Sequence, residues 1–334
     1  MKYNRILITG GAGFIPSNFF QYLTTLEEQP LIRLFDRRYG QDLTRWEDVD
    51  RAWSNFEPDA IINFASNTHI DTSIKDPRRF YENNLGLVVN VLEACRKYDT
   101  RLIQISSSEV YGTNKYVPKL VATNIKDKDK LRKIMDIKNV DAPPMDEWHP
   151  LCPHSPYAWT KVCQDRAVYS WWQTYELDAS VVRPFNQYGP YQQLEKMIPK
   201  TITRIMKGEH IPVYGEGLAR RDWVFVQDTV RGIWMALEKL PPGDVVNLAT
   251  GVNYSVIELV DNIKQVMGEL GYEDKSKTVT VDHVDDRLGH VYNLLGDASK
   301  AENLLGWTPE HTLQQGLRKT AEWVLNTDWG LVSR

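Results

Sequence analysis

The sequence contains little cysteine. Only three of its 334 residues are cysteines, Cys95, Cys152 and Cys163, and no two of them have the spacing of a metal-binding pair. So sparse and odd a set argues against a disulfide framework and is typical of reduced thiols in a cytoplasmic protein. We therefore expect no metal site and a cytoplasmic location.

Long apolar runs and an excess of positive charge are also missing. No apolar run reaches the roughly 20 residues that span a bilayer, and the first residues, MKYNRILITG, lack the long apolar region of a signal peptide. The formal net charge is −4 at pH 7, whereas proteins that bind nucleic acids carry basic surfaces. We expect a protein that binds neither membranes nor nucleic acids.

What the chain does contain is a regular alternation of short apolar runs and helical patterns. Strands that alternate with helices pair in parallel through right-handed crossovers, which place helices on both faces of the sheet. The first half therefore predicts an α/β fold with a doubly wound parallel sheet. The predicted strands span 5–10, 31–36, 59–66, 101–107 and 179–186, and the predicted helices span 14–28, 46–56, 78–98 and 155–175.

The pattern loosens after residue 186, where the turn signals YGPY, VYGEG and LPPGD cluster. We predict a first domain over 1–185 and a smaller C-terminal substrate-binding lobe over 186–334. A strand pattern at 221–228 and another at 245–250 are separated by a helix pattern, and we expect residues from about 225 to 250 to return to the first domain.

One charged segment, residues 119–148, breaks the alternation. Its spacing of apolar residues is roughly helical. Two interpretations remain open: a solvated surface insertion, or a flap or partner-contact element near a cleft.

The stretch TGGAGFIPSN follows the first predicted strand and opens the first predicted helix. Glycines at such a turn let the backbone approach a pyrophosphate, and the helix N-terminus supplies free N–H groups. Asp36 ends the second predicted strand, where a carboxylate accepts hydrogen bonds from a ribose and disfavours a 2′-phosphate. The pattern predicts a Rossmann-type site that binds NAD rather than NADP, although Arg37 and Arg38 could pair with that phosphate.

Pro16 stands where this glycine pattern usually has its third glycine. Proline is tolerated in the first turn of a helix, because the N–H that it lacks has no partner there. We expect slightly altered packing between helix and strand, with nucleotide binding retained.

The stretch SPYAWTK places Tyr157 and Lys161 one helical turn apart on the same face. An ammonium group beside a phenol lowers the pKa of the phenol, so that the tyrosine can take a proton from a hydroxyl group during oxidation. We expect the pair to act in hydride transfer.

With these motifs the chain resembles the extended short-chain dehydrogenases/reductases of the nucleotide-sugar epimerase/dehydratase family, over nearly its whole length. The matching stretches are TGGAGFI, FASNTHIDTSI, SSSEVYG, SPYAWTK and RPFNQYGP. Within that group it is most similar to the dTDP-glucose 4,6-dehydratase branch, through YGPYQQLEKMIPKTI, HIPVYGEGLARRDWVFVQD and DDRLGHVYNLLGDASKAENLLGWTP. The segment SSSEVYGTNKYVP also resembles dehydratases that act on UDP-N-acetylhexosamines.

The resemblance implies roles for individual residues. NAD would be held by Gly10, Gly13, Phe14, Ile15, Asp36, Asp42, Leu43, Ala65 and Ser66, with Asn84 behind them and with Tyr157 and Lys161 at the reacting end. A nucleotide-diphosphate sugar would be contacted by His69, Asn186, Lys196, Arg221, Asn247 and Arg287, and Asp71 could also reach sugar hydroxyls.

The resemblance also gives Glu109 a role. A 4,6-dehydratase oxidises C4, removes the C5 proton while the C6 hydroxyl leaves as water, and returns hydride to C6, so the middle step needs a base. We predict that Glu109 is this base and that Ser107 binds the C4 oxygen beside Tyr157. Ser108 departs from the dTDP-glucose branch, which has an aspartate there as the acid at C6. GDP-mannose dehydratases and UDP-glucuronate decarboxylases carry Ser-Glu instead.

Three other interpretations remain. A UDP-glucuronate decarboxylase or a nucleotide-sugar 4-epimerase would use the same fold, and a non-catalytic NAD-binding protein belongs to another class. The family also commonly pairs two helices of each subunit, so we expect a homodimer through helices 78–98 and 155–175. The aromatic residues of those helices could equally be ordinary core.

Overall fold

The computed structural model describes residues 2–113, 143–286 and 288–327. Within them a central sheet of six parallel strands has the order β2-β1-β3-β4-β5-β9, which confirms the predicted doubly wound α/β fold. The first strand pairs with both neighbours, Ile6 opposite Ile32 on one side and Ala60 on the other. The strands of this sheet are β1 (Arg5–Thr9), β2 (Leu31–Phe35), β3 (Ala60–Asn63), β4 (Arg101–Ile105), β5 (Ala179–Pro184) and β9 (Val245–Leu248).

Helices connect the strands of the central sheet and begin at recognisable caps. The helix that follows Ser155 has that hydroxyl as an acceptor for the N–H of Ala158 and a proline at its first position. Asp76 caps the helix that begins at Pro77 in the same way, because its carboxylate accepts the N–H of Arg79. The helices of this half are α1 (Phe14–Leu23), α2 (Trp46–Phe56), α3 (Ile70–Lys75), α4 (Pro77–Tyr98) and α5 (Pro156–Tyr175).

Two predicted elements are shorter than expected by more than two residues. Helix α1 ends at Leu23 rather than at residue 28, because the hydroxyls of Thr24 and Thr25 bond to the carbonyls of Gln21 and Tyr22 in its last turn. Strand β3 ends at Asn63, and the residues after it line a cleft instead of extending the sheet.

The second half forms smaller sheets beside the central one. A three-stranded sheet has the order β10-β8-β6, and a two-stranded sheet pairs β11 with β7. These strands are β6 (Asn186–Tyr188), β7 (Ile211–Tyr214), β8 (Arg220–Phe225), β10 (Asn253–Ser255) and β11 (Val281–Val284). The helices are α6 (Met197–Lys207), α7 (Val226–Lys239), α8 (Val256–Met267), α9 (Glu273–Thr278), α10 (Ser299–Leu305) and α11 (Leu313–Asn326).

The hydrophobic core lies on both faces of the central sheet. Ile6 and Ile8 belong to one buried cluster and Leu7 between them belongs to the other, because successive side chains of a strand point to opposite faces. All three are completely buried, as expected for a parallel strand that is covered on both sides. This packing fixes the strand ends from which the cleft is built.

In the part of the chain that the structure describes, no helix is both long and apolar enough to cross a membrane. Most of the predicted insertion at 119–148 lies outside the described residues, so neither interpretation of it is tested.

Candidate active site

A cleft of about 930 Å³ opens where the central strands end. Ligands bind at this edge of doubly wound sheets, because strand ends and helix N-termini converge there. The cleft brings together most of the residues that the sequence singled out, namely Gly10, Gly13, Phe14, Ile15, Asp36, Ala65, Ser66, His69, Asp71, Ser107, Ser108, Glu109, Tyr157, Lys161, Asn186 and Lys196.

The glycine loop leaves no room for side chains. Gly10 has φ +66°, and a Cβ on it would lie 3.0 Å from both the Cα and the N of Ala65 on the neighbouring strand end. Gly13 is the N-cap of α1, and a Cβ there would lie 3.1 Å from the carbonyl oxygen of Gly10. The backbone at the start of α1 is therefore open to the cleft, which suits a pyrophosphate.

Asp36 directly follows the second strand, and its side chain bonds to the backbone of the glycine loop. Its carboxylate accepts the N–H of Ala12 at 3.1 Å and the N–H of Arg38 at 2.9 Å. Arg37 makes two hydrogen bonds to Asp42, at 3.0 and 2.9 Å, so its charge is already paired with a carboxylate. Arg38 donates to the carbonyl of Ala12. The arrangement fits NAD, because the carboxylate is at the cleft and the nearer arginine is engaged elsewhere.

A second cavity of about 130 Å³ adjoins the cleft and is lined by Asp42 and Leu43. Gly10, Asp36 and Ala65 line both cavities, so a single extended ligand can occupy the two together. Leu43 is held in place by Asn90, whose amide donates to its carbonyl at 2.8 Å. The two adjoining cavities thus offer a continuous space for the two halves of a dinucleotide.

Pro16 is the third residue of α1 and is buried. Its ring carbon Cγ lies 3.2 Å from the point where a Cβ of Gly13 would be. The proline therefore fills the space beside the glycine loop. The first turn of the helix forms around it without an internal N–H at this position.

Tyr157 and Lys161 are both buried on α5 and face the cleft. The backbone N–H of Tyr157 donates to the hydroxyl of Ser73 at 3.2 Å, and the ammonium of Lys161 donates to the carbonyl of Ile105 at 3.0 Å. The backbone of Tyr157 is thus anchored to α3, and the side chain of Lys161 is anchored to the end of β4.

The pKa of Tyr157 is raised by burial, while a hydrogen bond with Ser107 lowers it and the charge of Glu109 raises it. This direction is opposite to the one expected from the Tyr-Lys spacing. Burial lowers the pKa of Lys161 to about 7, and the charge of Asp165 opposes that shift. The sequence expectation was wrong because it considered the neighbouring charge and not the desolvation of both groups.

Glu109 lies in a short 3-10 helix, Ser108–Tyr111, that follows β4. Its N–H donates to the hydroxyl of Ser107 at 3.2 Å, and only 9% of the residue is exposed. Ser108 is buried beside it. Glu109 and Tyr157 both line the cleft, and the charge of the Glu109 carboxylate is close enough to raise the pKa of the phenol.

Two of the predicted site residues lie behind the cleft. Asn84 is completely buried, where its side chain bonds to the backbone of Asn67 and to the hydroxyl of Thr160. Asn247 is also completely buried, with its amide donating to the carbonyls of Met145 and Asp297. Asn84 therefore braces the residues that line the cleft, as expected for a residue behind the cofactor. The substrate contact of Asn247 stays a prediction, and its side chain is already used within the protein.

The predicted cations and polar contacts of the substrate occupy different places. Lys196 is the N-cap of α6 and lines the cleft, while Arg221 lies in β8, largely buried, with its guanidinium donating to the carbonyl of Arg220. His69 caps α3, and its Nδ1 accepts the N–H of Thr72 at 3.3 Å. The other predicted cation, Arg287, lies outside the described residues.

The structure adds Ser106 and Gln192 to the cleft residues that the sequence analysis had identified, among them Asn186. The residues Ser106, Asn186 and Gln192 line the cleft, and one polar atom of each (Oγ, Oδ1 and Oε1, respectively) is buried with no hydrogen-bond partner among the residues that the structure describes. Buried polar atoms are normally paired, so these three atoms suit a polar ligand. Gln192 follows the YGPY turn that the sequence analysis had noted, which was the available signal.

Among the described residues, no group of three metal-ligating side chains lies close enough to hold a metal ion.

Comparison with known proteins agrees with this arrangement. The chain is 30% identical to a dTDP-glucose 4,6-dehydratase of Shigella flexneri, with 97% of this chain and 94% of the relative covered. It is also similar to the crystal structure of dTDP-glucose 4,6-dehydratase from Bacillus anthracis in complex with NAD, with a TM-score of 0.80, 29% identity and 97% of each chain covered. A UDP-glucose 4-epimerase of Thermus thermophilus in complex with NAD has a TM-score of 0.81, 25% identity and coverage of 97% and 99%.

The family resemblance drawn from the motifs is confirmed by a family model that matches residues 6–249. The matched segment begins in β1 and extends just beyond β9, so it contains the whole central sheet and the residues of the cleft. The chain belongs to the NAD dependent epimerase/dehydratase family.

Proposed function

We propose that the protein is an NAD-dependent nucleotide-sugar 4,6-dehydratase, which converts its substrate to a 4-keto-6-deoxy sugar nucleotide. The observation that carries the proposal is that the buried carboxylate of Glu109 lines the same cleft as the phenol of Tyr157. A 4-epimerase needs no base at C5, whereas a dehydratase does. The similarity to dTDP-glucose 4,6-dehydratases supports the same reaction.

NAD, when bound, supplies the hydride acceptor and donor for this reaction. We propose that Gly10, Gly13, Phe14 and Ile15 hold its pyrophosphate at the start of α1 and that Asp36 binds its ribose. Asp42 and Leu43 would hold the adenine in the smaller cavity, with Ala65 and Ser66 between the two cavities. Tyr157 and Lys161 would complete the site at the reacting end.

The protein's own groups divide the proton transfers between them. Tyr157 takes the proton of the C4 hydroxyl, and Ser107 binds the C4 oxygen beside it. The ammonium of Lys161, one helical turn beyond Tyr157 on α5, would favour the charged form of the phenol once the proton has moved. Because burial disfavours the charged form of Tyr157, the proton transfer from the C4 hydroxyl needs a positive charge nearby. The ammonium of Lys161 or a bound cation would supply it.

Glu109 acts in the elimination step. The C4 ketone acidifies the C5 proton, Glu109 removes it, and the C6–O bond breaks as water leaves. Ser108 cannot readily supply a proton at neutral pH, so we assign the proton for the departing oxygen to Glu109 as well. Both transfers then take place at one carboxyl group, which is protonated by the first and deprotonated by the second.

The substrate would be a nucleotide-diphosphate sugar. We propose that Lys196, Arg221 and Arg287 contact the diphosphate, because cations with several donors suit phosphate oxygens. Asn186, whose buried Oδ1 lacks a partner among the described residues, and His69 would bind hydroxyl groups. We also propose that Asn247 contacts the sugar nucleotide, although its amide already donates to the carbonyls of Met145 and Asp297.

A nucleotide-sugar 4-epimerase is the second candidate. The similarity to the Thermus thermophilus epimerase and the serine at position 108 favour it. An epimerase would leave the mass of the substrate unchanged and would leave Glu109 without a role in the reaction.

Mass spectrometry of a nucleotide-sugar panel tests these proposals. The panel holds dTDP-glucose, UDP-glucose, UDP-N-acetylglucosamine, UDP-glucuronate and GDP-mannose, each incubated with the protein and NAD. Loss of one water from any member supports the dehydratase and names its substrate. Loss of carbon dioxide from the glucuronate would indicate a decarboxylase. An isomer of unchanged mass would indicate the epimerase.

We further propose a division of the chain into an NAD-binding domain, 1–185 with the return at about 225–250, and a sugar-nucleotide lobe, 186–334. The return is supported by β9, which pairs with β5. A cytoplasmic location is in keeping with three free cysteines.

We also propose a homodimer through α4 and α5. These helices pack on each other and still expose Val89, Trp159, Tyr169 and Tyr175, each by more than 40%. Exposed aromatic residues on neighbouring helices are typical of an interface between subunits. Sedimentation velocity measures the state directly, and a monomer at assay concentration would contradict the proposal.

A further inference from the structure

Tyr111 ends the 3-10 helix that carries Glu109, and its side chain points into the protein. The residue is completely buried. Its hydroxyl accepts a hydrogen bond from Arg183 at 2.9 Å and donates one to Asn247 at 2.7 Å. The ring is stacked on Phe185, with the ring centres 6.2 Å apart. Both the ring and the hydroxyl are therefore held at fixed points.

Arg183 continues these contacts to the helix that carries the Tyr-Lys pair. From β5 its guanidinium donates two hydrogen bonds to Asp165, at 2.7 and 2.9 Å. Asp165 is completely buried and lies one helical turn beyond Lys161 on α5. A bidentate pair between a guanidinium and a carboxylate fixes direction as well as distance. One buried network thus joins the turn of Glu109 to the helix of Tyr157 and Lys161.

The far side of the Tyr111 hydroxyl is equally well fixed. Asn247, which accepts its proton, is held in turn through its amide by the carbonyls of Met145 and Asp297. Burial raises the pKa of Tyr111 to about 12 even though Arg183 opposes the shift. The phenol therefore stays protonated and keeps donating to Asn247 throughout the neutral pH range.

We propose that Tyr111 is a positioning residue, whose hydroxyl, clamped between Arg183 and Asn247, holds Glu109 in register with Tyr157. The inference deepens the proposed dehydratase function and rests on it. A dehydratase must keep its C5 base and its C4 acid–base group aligned on one sugar ring. A small displacement of such a group lowers the rate of its own step far more than it lowers stability.

Tyr111→Phe tests the inference, because it removes the hydroxyl and keeps the ring against Phe185. C4 oxidation is followed by the transient absorbance of the reduced cofactor, and elimination by the mass loss of water in a rapid-quench experiment. We expect elimination to slow about 10-fold to 100-fold. C4 oxidation should stay near the wild-type rate, so the reduced cofactor should accumulate in the variant.

Tyr98→Phe is the matched control, since it also removes one tyrosine hydroxyl, here a donor to Asp50 at 2.7 Å away from the cleft. Its two rates should equal those of the wild type. Thermal unfolding and NAD affinity show whether each variant is folded. A Tyr111→Phe protein that slows both steps equally, or neither, overturns the inference.

The same experiment keeps the two proposals apart. A wild-type protein that loses no water with any sugar nucleotide refutes the dehydratase function, and the positioning role is refuted with it. A wild-type protein that does lose water, beside a Tyr111→Phe variant with unchanged elimination, refutes the positioning role alone.

Discussion

Replacing Glu109 by glutamine removes the proposed base and keeps the size of a side chain that is 9% exposed. General-base catalysis contributes about 10²- to 10⁴-fold, which corresponds to roughly 3–5 kcal/mol of the barrier to C5 deprotonation. We expect water loss to fall by that factor, with NAD binding unchanged. C4 oxidation should survive, because Tyr157 and Lys161 are intact in the variant.

The electrostatics of the cleft add a second signature of Glu109→Gln. The charge of Glu109 raises the pKa of Tyr157, so removing that charge lowers it. The pH profile of C4 oxidation should therefore move to lower pH in the variant. Stopped-flow absorbance of the reduced cofactor across a pH series measures this shift, while mass spectrometry measures water loss on the same samples.

Glu302→Gln serves as the control for loss of one negative charge, because Glu302 is exposed on α10, outside the cleft. It should match the wild type in both assays. Water loss by Glu109→Gln at the wild-type rate would refute the assignment of the C5 base. Loss of NAD binding in that variant would refute the view that the carboxylate acts only on the sugar.

Three further predictions concern the cofactor and the buried lysine. Lys161→Met should abolish C4 oxidation and yet raise the free energy of unfolding near neutral pH, because the pKa of Lys161 is about 7 in the folded state against 10.5 for an ordinary lysine. Between pH 7 and about 10.5 the unfolded chain binds this proton more tightly than the folded one, so the stability of the wild type should rise with pH over that range. The stability of the variant should lack this rise. Thermal unfolding across a pH series measures both. Gly10→Ala should weaken NAD binding and lower the midpoint of thermal unfolding, because Gly10 has φ +66° and the new Cβ would lie 3.0 Å from Ala65. An unchanged affinity for NAD in titration calorimetry would contradict this. Arg37→Ala should keep the preference for NAD over NADP. It should lower the free energy of unfolding by less than about 1 kcal/mol, since Arg37 is half exposed and paired with Asp42. A changed preference in a binding titration would show that Arg37 contacts the ribose.

Local patterns were enough to predict the parts of the site that follow directly from a strand end. The glycine loop, Asp36, the Ser-Glu stretch and the Tyr-Lys pair each lie within a few residues of an element that the hydrophobic pattern identifies. Parallel strands bring their carboxyl ends to one edge of the sheet. Once the strands are predicted correctly, the motifs that follow them are therefore also predicted to lie close together.

Properties that depend on packing could not be predicted in this way. Asn247 occurs in a strand pattern, and only the fold shows that Tyr111, Met145 and Asp297 already use its amide group. The direction of the Tyr157 pKa shift depends on how completely the phenol is buried, which the Tyr-Lys spacing does not contain. The sequence of β8 does not indicate which strands it pairs with. In the structure it pairs with β6 and β10, outside the central sheet.

The position of β9 has a consequence for synthesis of the chain on the ribosome. Strand β5 is complete at Pro184, but its outer neighbour in the sheet is not made until residues 245–248 have been added. Throughout that interval the backbone N–H and C=O groups on one side of β5 have no strand to pair with. Open strand edges recruit other chains, so at this stage of translation the nascent protein has an edge that favours aggregation and that a chaperone would protect.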